Sequence, residues 1–267
     1  MSNNLLKGKK GIIFGALNED SIAWKVAEKA HAEGAEFILT NASVALRMGQ
    51  LDELAKATGS DIVAADVTLT EDLENLFKIA EEKFGKLDFI LHSIGMSINV
   101  RKKIHYTKSN YDFYHKAMDI SAISFHRVMK IAKEKDIMNE WGSILALSFI
   151  AAQLAIPGYN DMSDAKALLE SIARTFGYYY GIDKKVRVNT ISQSPTKTTA
   201  GGGIKGFDSL FGYAQKNSPL GNAPASDCAN YCVMMFSDFT KYVTMQNLYH
   251  DGGFSSTGLT EDIMGEI

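Results

Sequence analysis

The stretch GIIFGALNEDSIAWKVAEKAHAEGAEFILT (residues 11–40) alternates a short apolar run, an amphipathic segment and a second apolar run. GIIFG and EFILT have the length of buried strands, and between them Ile22, Val26 and Ala30 recur at helical spacing. Neither strand alternates polar and apolar residues, so both are expected to be covered on two faces. The pattern therefore predicts a βαβ unit with two parallel strands.

The same alternation continues along the chain. Apolar runs of strand length recur at Asp61–Ala65, Leu87–Ser93, Gly142–Ser148, Val186–Ile191 and Met245–His250. Segments with helical spacing lie at Val44–Thr58, Thr70–Phe84, Asn110–Lys135, Pro157–Tyr180 and Ala225–Ser237. We predict an α/β fold with a Rossmann-like, doubly wound parallel sheet of about seven strands and helices on both faces. No linker or repeat interrupts the pattern, so residues 1–267 are expected to form a single domain.

Composition narrows the class of protein. The 267 residues are 46% apolar and 22% charged, with 28 basic and 31 acidic side chains. This balance is typical of a globular domain, and it lacks the basic excess expected of a nucleic-acid-binding protein. The polar N-terminus and the absence of a long apolar run predict a cytoplasmic protein without membrane insertion. Cys228 and Cys232 are expected to be buried thiols, and the histidines show no metal-ligand spacing.

Candidate cofactor contacts follow the predicted strands, because ligands of such sheets bind at the carboxyl ends of the strands. Gly15 ends the first strand and a helix begins near Ser21 and Ile22, which would direct backbone N–H groups at a pyrophosphate. The fingerprint Gly-x-Gly-x-x-Gly is missing, so a tight turn with a serine cap and no ligand is the alternative.

The next strand ends leave the choice of cofactor open. Asn41 and Ala42 follow the second strand without an acid for a ribose 2′-hydroxyl, and Arg47 is the nearest base for a 2′-phosphate. Asp66-Val67 after the third strand can bond an adenine amino group, and Ser93-Ile94-Gly95 after the fourth allows close approach of a ribose. Simple strand termination is the alternative for both segments.

Tyr159 and Lys166 are the strongest candidates for chemistry. On one continuous helix, seven residues place both side chains on the same face, about 10.5 Å apart along the axis. An ammonium near a phenol favours the phenolate and eases proton donation. The alternative is a buried tyrosine and an unrelated surface lysine.

Together these residues resemble the short-chain dehydrogenase/reductase superfamily, and within it the FabI-type enoyl-acyl-carrier-protein reductases, over essentially the whole chain. The similar segments include Gly15 with Ser21-Ile22-Ala23, Asp66-Val67, Ser93-Ile94-Gly95, Ala155 through Lys166, Val186–Asn189 and Asp251–Phe254. Six residues separate Tyr159 from Lys166, whereas ordinary short-chain ketoreductases have three between their tyrosine and lysine. Phe149 stands where the family commonly has a second tyrosine.

The resemblance implies residue roles. It implies a cofactor site formed by Gly15, Ser21, Ile22, Ala42, Asp66, Val67, Ser93, Ile94, Gly95, Lys166, Thr196, Lys197, Thr198, Thr199 and Ala200. It implies a substrate site formed by Ser97, Phe149, Tyr159 and Phe207. The catalytic positions it implies are Tyr159, Lys166 and, where the family has its second tyrosine, Phe149. A phenyl ring cannot donate a hydrogen bond, so Phe149 can only shape the acyl pocket. A homotetramer is also implied.

Two loops complete the prediction. Thr198–Phe207 (TTAGGGIKGF) contains three consecutive glycines, and we expect a lid at residues 196–216, with a flexible connector as the alternative. Arg101, Lys102, Lys103, Lys197 and Lys205 follow strands whose ends face the site. They can steer an acidic acyl-carrier protein, or they can be an ordinary solvated basic surface.

The resulting hypothesis is reduction of the trans-2 double bond of enoyl thioesters, the last step of type II fatty-acid elongation. NADH is the expected cofactor, with NADPH left open, and Tyr159 is expected to stabilise the oxygen of the developing enolate. A ketoreductase acting on 3-oxoacyl thioesters shares the fold, and a non-catalytic dinucleotide-binding sensor is the second rival. The spacing of Tyr159 and Lys166 disfavours the first, and the presence of the pair disfavours the second.

Overall fold

All seven strands belong to one parallel sheet. The computed structural model describes residues 3–48, 50–199, 201–204 and 206–265. The strands are β1 (Lys10–Phe14), β2 (Glu36–Asn41), β3 (Asp61–Ala64), β4 (Leu87–His92), β5 (Met138–Ser148), β6 (Arg187–Gln193) and β7 (Asn247–His250). Their order across the sheet is β3-β2-β1-β4-β5-β6-β7, and every neighbouring pair is parallel. The predicted fold class is confirmed.

Helices connect the strands. They are α1 (Ile22–Ala32), α2 (Ser43–Met48), α3 (Leu51–Thr58), α4 (Thr70–Phe84), α5 (Ile98–Arg101), α6 (Tyr111–Met118), α7 (Ser124–Glu134), α8 (Asp161–Lys184), α9 (Phe207–Asn217), α10 (Ala225–Phe236) and α11 (Glu261–Met264). Short 3-10 turns lie at Tyr106–Lys108, Ile150–Ala152, Gly201–Gly203, Asp238–Thr240 and Phe254–Ser256. In the part of the chain that the structure describes, no helix is long and apolar enough to cross a bilayer.

Two apolar layers cover the sheet. Ile12 and Phe14 of β1 pack in the layer formed with α4, α7 and α8, whereas Ile13 packs in the layer formed with α1, α3 and α10. Successive strand residues point to opposite faces, so a strand buried on both faces must be apolar at every position. Each fully buried large apolar side chain contributes about 1.5–3 kcal/mol. Cys228 and Cys232 are buried and free in α10, as predicted.

Three helix predictions need correction. The segment predicted as one helix over Val44–Thr58 forms α2 and α3, with residue 49 outside the described residues. The segment Asn110–Lys135 forms α6 and α7, joined by a π-helical turn at Asp119–Ile123. The helix predicted from Pro157 begins only at Asp161, because Asn160 has a φ of 49°, which is incompatible with a right-handed helix.

Candidate active site

The direction of the strand connections reverses beside β1, which pairs with both β2 and β4. In open parallel sheets this reversal opens a crevice at the carboxyl edge. Gly15 and Ser93 follow the two strands on either side of it. Gly15 has a φ of 95°, and a Cβ there would lie 2.0 Å from the Ser93 carbonyl oxygen. Only glycine therefore allows these two strand ends to approach so closely.

The turn between β1 and α1 leaves the start of the helix available for a ligand. The Ser21 hydroxyl donates to the Asn18 carbonyl at 2.7 Å and accepts from the Leu17 N–H at 3.2 Å. Ser21 therefore shapes the turn and does not cap α1, which begins at Ile22 and has no side-chain cap. The uncapped helix start and its dipole suit an anionic group.

The predicted adenine side of the site follows β2 and β3. The Asn41 amide donates to the Ala16 carbonyl at 2.9 Å, which ties the end of β2 to the turn after β1. Ala42 follows directly, between β2 and α2. One oxygen of Asp66 accepts from the N–H and hydroxyl of Thr68, and Val67 beside it is buried.

A hydrogen bond crosses the crevice from the turn after β1 to the segment after β6. The Asn18 amide donates to the Thr199 hydroxyl at 2.9 Å. Thr196 bonds within its own loop, and the Thr198 hydroxyl accepts from the Gly201 N–H at 3.0 Å. The ammonium of the exposed Lys197 lies 4.8 Å from the centre of the Phe211 ring. Ala200 and Lys205 lie outside the described residues.

Buried polar atoms at this edge fit a polar ligand such as a dinucleotide. Among the described residues, buried side-chain atoms without a hydrogen-bond partner include Asn18 Oδ1, Thr40 Oγ1, His92 Nδ1 and Ser192 Oγ. They lie after β1 and near the carboxyl ends of β2, β4 and β6. Buried polar groups are normally paired, so these atoms remain available to a hydrogen-bonding ligand.

Tyr159 lies in the turn before α8, two residues ahead of the helix. The prediction that one continuous helix presents Tyr159 and Lys166 on the same face is therefore wrong. The Tyr159 ring packs against Phe149 with 5.0 Å between ring centres. Its side chain is buried, and no described residue hydrogen-bonds its hydroxyl.

Burial raises the pKa of Tyr159 above its ordinary value, with no contribution from Lys166. The expected lowering of this pKa by the lysine is therefore also wrong. A neutral phenol in an apolar setting is a hydrogen-bond donor rather than a phenolate. This protonation state suits stabilisation of an oxyanion.

Lys166 lies inside α8 and is buried, with its Nζ atom 2.7 Å from the Leu147 carbonyl oxygen. A Cβ placed on Gly95 would lie 3.8 Å from the same Nζ, so the segment after β4 passes close to the lysine. Burial lowers the pKa of Lys166 to about 8, and the charge of Glu170 partly opposes this shift. One N–H of the ammonium donates to the Leu147 carbonyl, and the other two N–H groups can donate to a hydroxylated ligand.

A third apolar cluster lies apart from the two sheet layers. It comprises Val100, Phe149, Ile150, Ala151, Tyr159, Met162, Ala214 and Phe254, with Ile156, Ile204 and Leu210 packed against it. Its members come from segments after β4, β5, β6 and β7, so the cluster joins the elements that surround Tyr159. Phe207, predicted to face the substrate, is buried at the start of α9. Ser97 is also buried, and its hydroxyl donates to the Asp161 carboxylate at 2.6 Å.

The sequence interpretation missed several polar residues around this cluster. Glu170 is buried one helical turn beyond Lys166 and accepts from the Ser148 hydroxyl at 2.6 Å. Its spacing of four residues from Lys166 was the available signal. Asn18 and Asp161 carried no comparable signal, because their partners are distant in the sequence. No cluster of metal-ligating side chains occurs among residues 3–48, 50–199, 201–204 and 206–265.

The family model described as "Enoyl-(Acyl carrier protein) reductase" matches residues 15–255. The chain belongs to the enoyl-acyl-carrier-protein reductase family. "Enoyl-[acyl-carrier-protein] reductase [NADH] 2" of Rhizobium meliloti is 35% identical over 259 residues, covering 96% of this chain and 95% of that protein. "Enoyl-[acyl-carrier-protein] reductase [NADH] FabI" of Rickettsia bellii is 36% identical over 261 residues, covering 97% and 98%.

Solved structures of the family agree with the fold. The FabI–NADH complex from Alistipes finegoldii matches with a TM-score of 0.97 and 60% identity, covering 99% of this chain and 94% of that one. The Aquifex aeolicus enoyl-acyl-carrier-protein reductase matches with a TM-score of 0.89 and 34% identity, covering 96% and 100%. The predicted family and its oxidoreductase activity on enoyl thioesters in fatty-acid synthesis are therefore confirmed.

Proposed function

We propose that this family member reduces trans-2-enoyl thioesters with NADH, and that Tyr159 donates the hydrogen bond that stabilises the reacting thioester oxygen. The observation that carries the proposal is a buried Tyr159 phenol without a partner among the described residues, in an apolar cluster at the sheet edge where burial raises its pKa. When bound, the nicotinamide would supply a hydride to C3 of the enoyl thioester, and a proton delivered to C2 by water or through the Tyr159 hydroxyl would complete the reduction. The chain's own residues hold the substrate and the charge that this addition creates.

Tyr159 acts on the thioester oxygen. Hydride addition at C3 moves negative charge onto that oxygen, and a donor aimed there strengthens its bond as the charge grows. The apolar surroundings of Tyr159, including Phe149 at 5.0 Å, exclude water that would weaken this bond. The Phe149 ring has no hydrogen-bond donor, so of the two rings only Tyr159 can donate to the thioester oxygen.

Lys166 holds the cofactor rather than the substrate. Its Nζ is fixed by the Leu147 carbonyl at 2.7 Å and lies near Gly95, where the absence of a side chain allows a ribose to approach. An ammonium held in this way can donate to ribose hydroxyls and orient the ring attached to them. Gly15, Ser21, Ile22, Ser93 and Ile94 form the neighbouring pyrophosphate and ribose wall.

The adenosine end is assigned to Ala42, Asp66 and Val67, and the cofactor is NADH. Arg47 is exposed on α2, and no bond fixes it toward the end of β2 among the described residues. Asn41 is committed to the Ala16 carbonyl, so it is not placed to bind a 2′-phosphate. The relatives from Rhizobium meliloti and Rickettsia bellii are both named for NADH.

The third apolar cluster is the acyl pocket, and residues 196–216 close over it. The part of this segment that the structure describes includes the 3-10 turn Gly201–Gly203 and most of α9. Ile204, Leu210 and Ala214 supply its apolar side, and a Cβ on Gly201 would lie 3.1 Å from the Phe207 ring. The bond from Asn18 to Thr199 holds the segment against the turn after β1.

The acyl-carrier protein docks beside this pocket. Arg101, Lys102 and Lys103 are exposed at the end of α5, and a Cβ on Gly203 would lie 3.6 Å from the Arg101 side chain. The basic residues after β4 therefore adjoin the segment after β6 that carries Lys197. A positive surface beside the pocket mouth attracts an acidic carrier.

The assembly is a homotetramer in the cytoplasm. Leu168, Tyr179 and Ile182 are exposed on one side of α8, with Ile182 69% exposed. An apolar helix face of this kind is typical of a subunit interface. The two cysteines are free, which agrees with a reducing compartment.

A comparison of substrates tests the proposed reaction. Oxidation of NADH followed at its absorbance maximum should proceed with crotonyl thioester and be at least about a hundredfold slower with acetoacetyl thioester. Replacing NADH with NADPH should raise KM with little change in kcat. Preferential turnover of the acetoacetyl thioester would show a ketoreductase, and tight NADH binding without turnover of either substrate would show a sensor.

A further inference from the structure

A buried carboxylate follows Tyr159 by two residues and has no role in the reaction described so far. Asp161 is the first residue of α8 and is fully buried. One of its oxygens accepts from the Ser97 hydroxyl at 2.6 Å, and the other accepts from the Asn99 amide at 2.8 Å. Both partners belong to the segment after β4, so Asp161 joins that segment to the start of α8.

The partners leave Asp161 only one possible role, that of a double acceptor. The Asn99 side chain is fixed by Asn110, donating to its carbonyl and accepting from its N–H, both at 3.1 Å. The amide of Asn99 therefore cannot be turned over without losing two bonds. The Ser97 oxygen already accepts from the Val100 N–H at 3.0 Å, so its single proton is left for Asp161. Only a carboxylate satisfies both donors at this position.

Three further hydrogen bonds fasten the chain between β4 and β5 to the start of α8. The Asn160 amide donates to the Ile104 carbonyl at 2.6 Å. One oxygen of Asp164 accepts from the hydroxyls of Tyr106 and Tyr114, at 3.1 and 3.0 Å. Asp161 differs from Asp164 because Asp161 is buried and both of its oxygens are bound within the protein. Asp161 is the first residue of α8, and the dipole of a helix favours negative charge at its start.

Tyr159 is rigidly connected to this turn. Its carbonyl accepts from the Met162 N–H at 3.1 Å, and its own N–H donates to Ile156 at the same distance. The backbone N–H of Val100 donates to the Ser97 hydroxyl, and the Val100 side chain packs in the same apolar cluster as Tyr159. The distance between the Val100 side chain and the Tyr159 ring therefore depends on the hydrogen bonds of Asp161.

We propose that Asp161 is a positioning residue for the reduction: by holding Ser97 and Asn99 it fixes the segment after β4 against α8 and sets the place of the Tyr159 hydroxyl. This inference rests on the proposed role of Tyr159. Asp161 touches neither substrate nor cofactor. Its loss should displace the phenol from the thioester oxygen while leaving the cofactor edge intact.

A double-mutant cycle tests the proposal. Asp161→Asn keeps the size of the side chain but turns one acceptor into a donor facing a donor, so kcat with crotonyl thioester should fall about tenfold or more. The Kd of NADH should stay within about twofold of its original value, because the cofactor edge is untouched. In a Tyr159→Phe background, the same change should alter kcat less than about twofold, because the group that Asp161 positions is gone.

Matched variants separate positioning from folding. Asp183→Asn makes the same chemical change at the other end of α8, where the exposed carboxylate pairs with Lys133 at 2.6 Å, and it should leave kcat unchanged. If Asp161→Asn does not fold, Ser97→Ala removes one donor while keeping the charge. It should lower kcat about threefold with the same loss of effect in the Tyr159→Phe background.

The outcomes are distinguishable. Equal fold losses from Asp161→Asn or Ser97→Ala in both backgrounds would overturn the positioning role and leave the role of Tyr159 standing. An unchanged kcat for Asp161→Asn would do the same. Wild-type kcat in Tyr159→Phe alone would overturn the role of Tyr159 and, with it, the positioning role.

Discussion

We expect the buried ammonium of Lys166 to make the reaction depend on pH. Burial lowers its pKa to about 8, so the lysine loses its charge within the range of an ordinary assay. The value of kcat/KM for NADH should therefore fall as the pH rises through about 8. In Lys166→Arg the guanidinium stays charged, and kcat/KM should be lower overall but flat from about pH 7 to 10. The same decline in both proteins would assign the titration to another group.

Burial of Lys166 also has a defined effect on the free energy of unfolding. The ordinary pKa is 10.5 and the folded pKa is about 8, so between these values the unfolded chain binds more protons at this residue. The unfavourable contribution of the buried charge is present in full below about pH 8 and is lost as the pH rises towards 10.5. The buried charge of Lys166 therefore lowers the free energy of unfolding at neutral pH, and it lies beside the proposed cofactor edge.

At the scale of elements, the bond between Asn18 and Thr199 links the turn after β1 to the segment proposed to cover the pocket. Asn18→Ala should raise the Kd of NADH about two- to tenfold, which is the worth of one hydrogen bond. NADH should also protect residues 196–216 from hydrogen exchange less in this variant than in the original protein.

A matched change in α9 is the control. The Asn217 amide donates to the Tyr213 carbonyl inside α9 and is partly exposed, so Asn217→Ala should not change the Kd. An unchanged exchange pattern on adding NADH to the original protein would mean that the segment is a connector and not a lid.

The elements show what the sequence could and could not predict. Strand positions follow from unbroken apolar runs such as GIIFG, because a strand buried on both faces must be apolar at successive positions. The bounds of α4 match those predicted. The start of α8 was misplaced because the left-handed φ of Asn160 arises from its bond to Ile104, which lies 56 residues away. The direction of the pKa shift of Tyr159 was mispredicted because helical spacing says nothing about where the Lys166 ammonium is held.

At the scale of the whole molecule, the basic surface beside the pocket should distinguish two forms of the same substrate. Replacing Arg101, Lys102 and Lys103 with alanine should raise KM for the carrier-linked enoyl thioester about tenfold at low salt. KM for the coenzyme A thioester should change far less, because that substrate lacks the acidic carrier. Salt should reduce the difference by screening the charges. Equal changes for both substrates would rule out steering.

The proposed assembly is tested at the exposed face of α8. The original protein should sediment as a tetramer, and Ile182→Glu should shift it to smaller species, because a charge would be buried at the interface. Val44→Glu places the same charge at another exposed apolar residue, 58% exposed on α2, and should leave the tetramer intact. A monomeric original protein would contradict the proposal.

The role of Tyr159 is tested most directly by kcat with crotonyl thioester and NADH in Tyr159→Phe and in Phe149→Tyr. We predict that Tyr159→Phe lowers kcat about a hundredfold or more, the effect of losing one oxyanion donor, with little change in the Kd of NADH. Phe149→Tyr should change kcat by less than about threefold, because that ring only shapes the pocket. Turnover by Tyr159→Phe at the rate of the original protein would contradict the account.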